Sequence, residues 1–368
     1  MEKIRAKNWS YNKKIYNLKE LLLIMFLWIG AALLYVFIKI NELSETQLTE
    51  VYQLQHWVSG VRIYVIAFLM SWLISIPIGI MHLFAYPAIT RRSFGFILAI
   101  RLLNLLLLIG FALFFYYFFI FDGNIHSFNF SLIISASVYA LLTESFITII
   151  LLLKRNLGVG FFSDFFTSNY LDPSKEERVF LFLDMIDSTP LVQHLGSYEF
   201  SNLMQDCFAD LSDAVLEYNG TIYQFVGDEA VIIWKTKDGF RFSNSLDFYY
   251  AYLRILESRK DYYIQKYGIL PKFRAAVNSG KVTIALVGDI KREIAYYGSV
   301  LNICSRIQKL SHSDQNQIIV SESFFEQVQY SKSYSFYALT GLELKGIPDI
   351  KTAYVVQPAG FSNPLVLQ

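Results

Sequence analysis

The chain has 368 residues, with 32 Lys and Arg against 31 Asp and Glu and a formal net charge of +1. That balance gives no sign of a nucleic-acid partner, and none is expected. Hydrophobic residues make up 54% and charged residues only 17%, against about 25% charged in a soluble domain; the apolar excess sits before residue 154, which predicts two unlike halves.

Four apolar stretches, 21–40, 63–86, 94–121 and 131–153, approach or exceed the roughly 20 residues that cross a bilayer. They predict a membrane anchor over residues 1–153, an α-helical bundle of four spans. The first is too long, and too far from a small-residue cleavage site, to be a signal peptide. Lys3, Arg5, Lys7, Lys13, Lys14 and Lys19 precede it, Arg91 and Arg92 follow the second span, and Lys154 and Arg155 follow the fourth. The connection 41–60 carries Glu42, Glu45 and Glu50, with Lys39 and Arg62 only at its edges, and 122–130 carries no Lys or Arg. Positive charge gathers on the cytoplasmic side. The N-terminus and everything after the fourth span are therefore expected inside, in a multi-pass protein of the cell inner (plasma) membrane. Arg101 and Glu144 lie at similar depths in the third and fourth spans, where a structural ion pair and a sensing site both remain open. Pro77 predicts a kink.

Residues 154–177 read as a connector. Phe161, Phe162, Phe165 and Phe166 suit an interfacial helix or one packed on a partner chain. Pro173 and the charged 175–178 mark the next boundary. Cys207 and Cys304 have no metal-ligand spacing and read as free thiols in a reducing compartment.

From 178 to 368 the pattern changes. Val179-Phe180-Leu181-Phe182-Leu183 is a strand ending in Asp184. Residues 190–219 have apolar positions at helical spacing, as one helix or two in series, closed by Asn219-Gly220. Strands 221–226 and 230–234 flank Gly227-Asp228-Glu229, a hairpin with an acid at its tip. If hairpin and first strand lie side by side, Asp184 and Asp228 share an edge, where two carboxylates repel unless a cation sits between them. Mg²⁺ takes a few carboxylate oxygens plus substrate phosphates. Either acid alone would be an ordinary solvated strand end or turn. Residues 246–267 read as helical, 272–278 and 281–287 as a strand pair around Ser279-Gly280, 300–310 as a helix, 317–321 as a strand, 322–329 as a helix, and the tail after Tyr334 as strands. This predicts an α+β domain with a mostly antiparallel sheet and helices on one face. Asn302 and Arg306, four apart, share a helix face and could grip a ribose oxygen and a phosphate.

The runs FLFLDMIDST and YQFVGDE, the Asn302 and Arg306 helix opened by Tyr297-Gly298, and Leu344-Lys345-Gly346 occur in one order. Together they resemble the catalytic domain of class III nucleotidyl cyclases, the adenylate and guanylate cyclase family, over about half the chain. The resemblance implies a ferredoxin-like α+β catalytic domain. It also implies a nucleoside triphosphate substrate and two Mg²⁺ (or Mn²⁺) held by Asp184, Asp228 and the backbone carbonyl of Met185. Asn302 and Arg306 would orient the ribose and stabilise the transition state. Thr189 and the 185–189 loop would cradle phosphate, and Lys291 or Arg292, with Lys345, would meet the triphosphate. Gln224 and Ala295 stand at the positions that select the base. The family's domain is a head-to-tail homodimer, each site drawing its aspartates from one chain and its Asn and Arg from the other.

The implied reaction is in-line attack of the ribose 3′-hydroxyl on the α-phosphate, giving a 3′,5′-cyclic nucleotide and pyrophosphate. Three departures stand out. Asp187-Ser188 replace the usual Gly-Phe; Gln224 replaces the Lys of adenylate cyclases; Ala295 replaces Asp or Thr. Gln224 can donate or accept, but no negative charge is present to favour guanine, so ATP and cyclic AMP are expected. The alternatives are a guanylate or mixed-specificity cyclase, and a catalytically silent module that dimerises and relays a membrane signal.

Overall fold

The structure is a computed structural model, and it describes residues 2–42, 58–84, 93–119, 130–157, 170–240, 243–311, 316–342 and 352–359. The aromatic run 161–166 lies outside them. The chain forms two compact units, Lys14–Asn156, and Leu157–Gln368 with Met1–Lys13.

The first unit is built on α1 (Glu2–Glu42), α2 (Val58–Phe84), α3 (Phe94–Phe119) and α4 (Phe130–Leu157). Ile24 and Trp28 of α1, Ile78 of α2, Leu105 of α3, and Ile147 and Leu151 of α4 pack at its centre. Outward side chains are also apolar, with Phe26, Phe111 and Leu142 each more than 60% exposed, a surface suited to lipid rather than water. Among the described residues, three helices are long and apolar enough to cross a membrane: Ile15–Asn41, Phe94–Phe111 and Ile133–Arg155. The four-span expectation therefore differs at α2, whose apolar stretch is the shorter Ala67–Leu83. Pro77 lies inside α2.

The second unit is a sheet with helices. Its elements are β1 (Ser174–Met185), α5 (Ser188–Glu217), β2 (Thr221–Val226), β3 (Glu229–Lys235), α6 (Thr236–Phe240), α7 (Asn244–Ser258), α8 (Lys260–Tyr267), β4 (Phe273–Val287), β5 (Glu293–Tyr297), α9 (Ser299–Gln308), β6 (Ile318–Ser321), α10 (Glu322–Val328), β7 (Tyr334–Thr340) and β8 (Thr352–Pro358). The strand order is β2-β3-β1-β4-β6-β8-β7, with β5 paired to β4. Among the described residues, only the β4–β6 pair is parallel. The chain path β1-α5-β2-β3-α7-β4 over the order β2-β3-β1-β4 is that of a ferredoxin-like core.

Alternation along the strands builds two cores. Val179, Leu181 and Leu183 of β1 join Ala230, Ile232 and Trp234 of β3 and Leu203, Leu211, Tyr249 and Tyr252 of α5 and α7. On the other face, Phe180 and Phe182 join Val231, Ile233, Ala276 and, from α9, Val300, Cys304 and Ile307. Helices thus cover both faces, where the sequence predicts one. β4 also differs from the expected strand pair. Ser279-Gly280 is no turn; β4 runs straight through it, and β1 pairs with it from Ser174↔Ile284 to Met185↔Phe273. A Cβ on Gly280 would lie 3.0 Å from Val300 Cγ2, so the glycine lets α9 approach the sheet.

α5 breaks at Gly196, whose backbone is non-helical (φ 77°, ψ 157°). α5 and α8 are joined through buried acids. Asp206 accepts from Tyr262 at 2.7 Å, Tyr267 at 2.6 Å and Lys266 at 2.8 Å; Asp210 accepts from Tyr263 at 2.6 Å and from Arg259. Both cysteines are buried and unbonded to sulfur, as expected of free thiols.

Candidate active site

β1 and the β2–β3 hairpin bring the two predicted acids to one edge of the sheet. Asp184 registers with Glu229, the residue after Asp228. Gly227, at φ 64°, supplies the left-handed conformation of the hairpin turn. Burial pushes the Asp184 carboxyl above its ordinary range, and the nearby Asp228 adds to this, while Arg274 opposes it. Burial, with Asp184 and Asp228, likewise raises Glu229. This is the signature of acids crowded at one place.

Arg274 is the residue that sequence reading missed. It registers opposite Asp184 across β1 and β4. Its Nε and NH2 donate to Asp184 Oδ2 at 3.0 and 2.7 Å, and its NH1 donates to the Ser311 carbonyl at 3.3 Å. A cation in the otherwise apolar run Phe273-Arg274-Ala275-Ala276-Val277 was the available signal, and it becomes legible only with the β1–β4 register.

The loop after Asp184 opens α5. Ile186 donates its N–H to the Lys272 carbonyl at 2.9 Å, and Met185 is buried with its backbone beside Asp184. Asp187 has φ 57° and ψ 31°. This left-handed position is where the family's usual residue is Gly, and Asp is among the side chains that tolerate it. Thr189 is exposed in the first turn of α5.

α9 holds Asn302 and Arg306 on a different surface. Val300, Cys304, Ile307 and Gln308 are its buried residues, and at 100° per residue Asn302 and Arg306 fall on the opposite side of the helix. Asn302 is exposed and Arg306 half-buried. Among the described residues, no hydrogen bond or ion pair joins either of them to Asp184, whose partner is Arg274. Gln224 is exposed on β2, just after a bulge between Ile222 and Gln224. Ala295 sits on β5 opposite Ala285 of β4. Their neighbours Tyr223 and Tyr296 meet edge to face, ring centres 5.0 Å apart, so the two predicted base-selecting positions lie in one neighbourhood. Lys291 and Arg292 are exposed between β4 and β5, and Lys291 pairs with Glu293 at 2.5 Å. Lys345 lies outside the described residues.

Among the described residues, no group of three or more His, Cys, Asp and Glu forms a ready metal cage. Two crowded carboxylates beside a backbone carbonyl nevertheless fit Mg²⁺, which keeps its remaining positions for water and phosphate.

Comparison with known proteins identifies the domain. Adenylate cyclase 2 of Rhizobium meliloti (strain 1021) is 31% identical over 192 residues, 52% of this chain and 53% of that protein, so the chain spans about half the length of this curated relative. A bacterial light-regulated adenylyl cyclase shares the fold at 14% identity and a TM-score of 0.51, over 60% of this chain and 64% of that one. The adenylyl cyclase CyaB from P. aeruginosa superposes at 19% identity and a TM-score of 0.46, over 53% of this chain and 100% of that one. The profile of the adenylate and guanylate cyclase catalytic domain matches residues 172–358, and the chain belongs to that class III nucleotidyl cyclase family.

Proposed function

We propose that this protein is a membrane-anchored adenylate cyclase that converts ATP to 3′,5′-cyclic AMP and pyrophosphate at sites shared across a homodimer. The observation that carries this reading is the division of the predicted site. Asp184 and Asp228 sit at one sheet edge, while Asn302 and Arg306 occupy the outer side of α9. A second chain facing the first can supply Asn302, Arg306, Gln224 and Ala295 to the partner's acids.

In that arrangement Asp184, Asp228 and the Met185 carbonyl hold the divalent ions, whose chemistry is to favour loss of the 3′-hydroxyl proton and to screen the triphosphate. Asn302 holds the ribose so that its 3′-oxygen lies in line with the α-phosphorus. Arg306 offsets charge on the transferred phosphoryl group. Thr189 and the first N–H groups of α5 bind phosphate oxygens, and Arg274, Lys291, Arg292 and Lys345 supply positive charge for the triphosphate. Gln224 contacts the base. The adenine assignment draws support from the missing negative charge at 224 and 295 and from the Rhizobium relative described as an adenylate cyclase.

Residues 1–153 form the anchor, 154–177 the connector and 178–368 the catalytic domain. α2 is assigned as the fourth span, its apolar stretch Ala67–Leu83 lying at the short end of the roughly 17–25 residues that cross a bilayer. The basic flanks then put both the N-terminus and the catalytic domain on the cytoplasmic side.

The test is turnover by full-length protein in membranes, given ATP or GTP with Mg²⁺ or Mn²⁺, and products separated by chromatography. Cyclic AMP from ATP, lost in Asp228→Ala, is expected. Cyclic GMP would overturn the base assignment, and no product from either would favour the silent relay module.

A further inference from the structure

Ala276, Asn278 and Gly280 alternate along β4 and so share the sheet face that α9 covers. Two of them are the small residues that an approaching helix needs. The third carries an amide that is only 2% exposed, opposite Phe180 of β1. A buried amide costs free energy unless it is hydrogen-bonded, and the bonds of Asn278 run to both neighbouring helices. Its Nδ2 donates to the Val300 carbonyl in the first turn of α9 at 2.9 Å. Its Oδ1 accepts from the Ser279 N–H at 2.9 Å and from Ser323 Oγ of α10 at 3.0 Å. Ser323 Oγ also lies 3.1 Å from Ser321 Oγ, which caps α10 by accepting from the Phe324 N–H at 3.2 Å. On α9 itself, Cys304 Sγ donates to the Ala276 carbonyl at 3.2 Å.

The partners fix which way the amide points. A backbone N–H only donates and a carbonyl only accepts, so the oxygen faces Ser279 and the nitrogen faces Val300. Val300 and Ile307 hold α9 to the sheet by apolar contact, which is non-directional. The bond from Asn278 is directional. It acts on the first turn of α9, two residues before Asn302 and six before Arg306. It therefore resists both a slide of the helix along its axis and a turn about it. Misplacing a reacting group by about 1 Å can cost about a hundredfold in rate. Sealed beneath α9, Asn278 reaches a substrate only through that helix.

We propose that Asn278 is a positioning residue for cyclisation: its amide, steadied by Ser279 and Ser323, sets α9 so that Asn302 and Arg306 meet the nucleotide. The assignment rests on the shared site proposed above, in which α9 of one chain serves the acids of the other.

The test uses full-length chains in membranes, with cyclic nucleotide as the readout. Asn278→Leu keeps the branched shape and removes donor and acceptor. Alone, it should lower kcat for ATP at least about tenfold, with KM within about twofold of wild type. Coexpressed equally with Asp184→Ala, it should recover to about a quarter of wild-type activity, because each mixed dimer joins sound acids from one chain to a sound α9 from the other. Coexpressed with Arg306→Ala, it should stay at its own low level, because both α9 helices are then impaired. Undiminished activity alone, recovery with both partners, or recovery with neither would each overturn the proposal; general damage to the domain gives the last pattern. The pair Asp184→Ala and Arg306→Ala reports the shared site by itself. No recovery there, with mixed dimers shown by tags, overturns the shared site and this assignment with it. Recovery there without the Asn278 pattern overturns the assignment alone. Where Asn278→Leu does not accumulate in membranes, Ser323→Ala decides, since Ser323 is exposed and its loss loosens the amide without emptying the core. It should lower kcat a few-fold at unchanged KM, and an unchanged kcat would overturn the proposal.

Discussion

Arg274 holds Asp184 by two donors to the same oxygen, Oδ2, at 3.0 and 2.7 Å. The guanidinium is also tethered through Ser311 to the segment just after α9, and on the proposed function it supplies positive charge for the triphosphate. Arg274→Ala is expected to lower kcat/KM for ATP about ten- to a hundredfold, in keeping with ~1.5–3 kcal/mol for hydrogen bonds to a charged group. Steady-state kinetics on full-length membranes measures this. An unchanged kcat/KM would confine Arg274 to holding Asp184.

Complementation tests the division of the site. Asp184→Ala and Arg306→Ala chains should each be inactive alone. Coexpressed equally, half the dimers are mixed and each mixed dimer keeps one intact site of two, so activity should return to about a quarter of wild type. The readout is cyclic nucleotide formed per milligram of membrane. Absence of recovery, with mixed dimers shown by differential tags, would count against shared sites.

Asp187 places a negative charge at the start of the loop assigned to phosphate, in a left-handed conformation (φ 57°) that glycine adopts at no steric cost. Asp187→Gly should remove the repulsion without disturbing the turn. A few-fold fall in KM for ATP is expected, from about 1 kcal/mol at water-like screening. A rise in KM would mean that the carboxylate serves the site.

Glu217, buried at the end of α5, has its carboxyl pushed by burial up to about 7 from an ordinary 4.5, with Asp213 and Asp247 adding and Arg254 opposing. The folded state thus holds a proton that the unfolded chain has released across this window. Stability falls as pH rises from about 4.5 to about 7. Glu217→Gln should raise the thermal midpoint of the catalytic unit at about pH 8 and change it little near pH 4. Equal effects at both limits would show that the charge is not the cause.

The acid edge was legible from the chain because it depends on local signals: an apolar run ending in Asp184, and a glycine turn carrying Asp228. What resisted reading depends on register. Ser279-Gly280 has turn composition, yet its glycine serves the approach of Val300, and nothing in the local sequence announces a helix packed above it. Arg274 acquires meaning only once Asp184 is its cross-strand partner. The helix face of Asn302 and Arg306 followed from spacing, but its turn away from the sheet required knowing that Cys304 and Ile307 face inward.

On the proposed shared site, the outward face of α9 would also set how output scales in a cell. If a lone chain lacks a complete site, then where encounters limit pairing, synthesis grows with the square of the number of copies per unit of membrane area. Confinement to a plane raises the local concentration of partners well above that of the same chains dispersed in three dimensions. The anchor would then act on rate without touching the nucleotide, and crowding or thinning of copies in the bilayer would be enough to switch the signal.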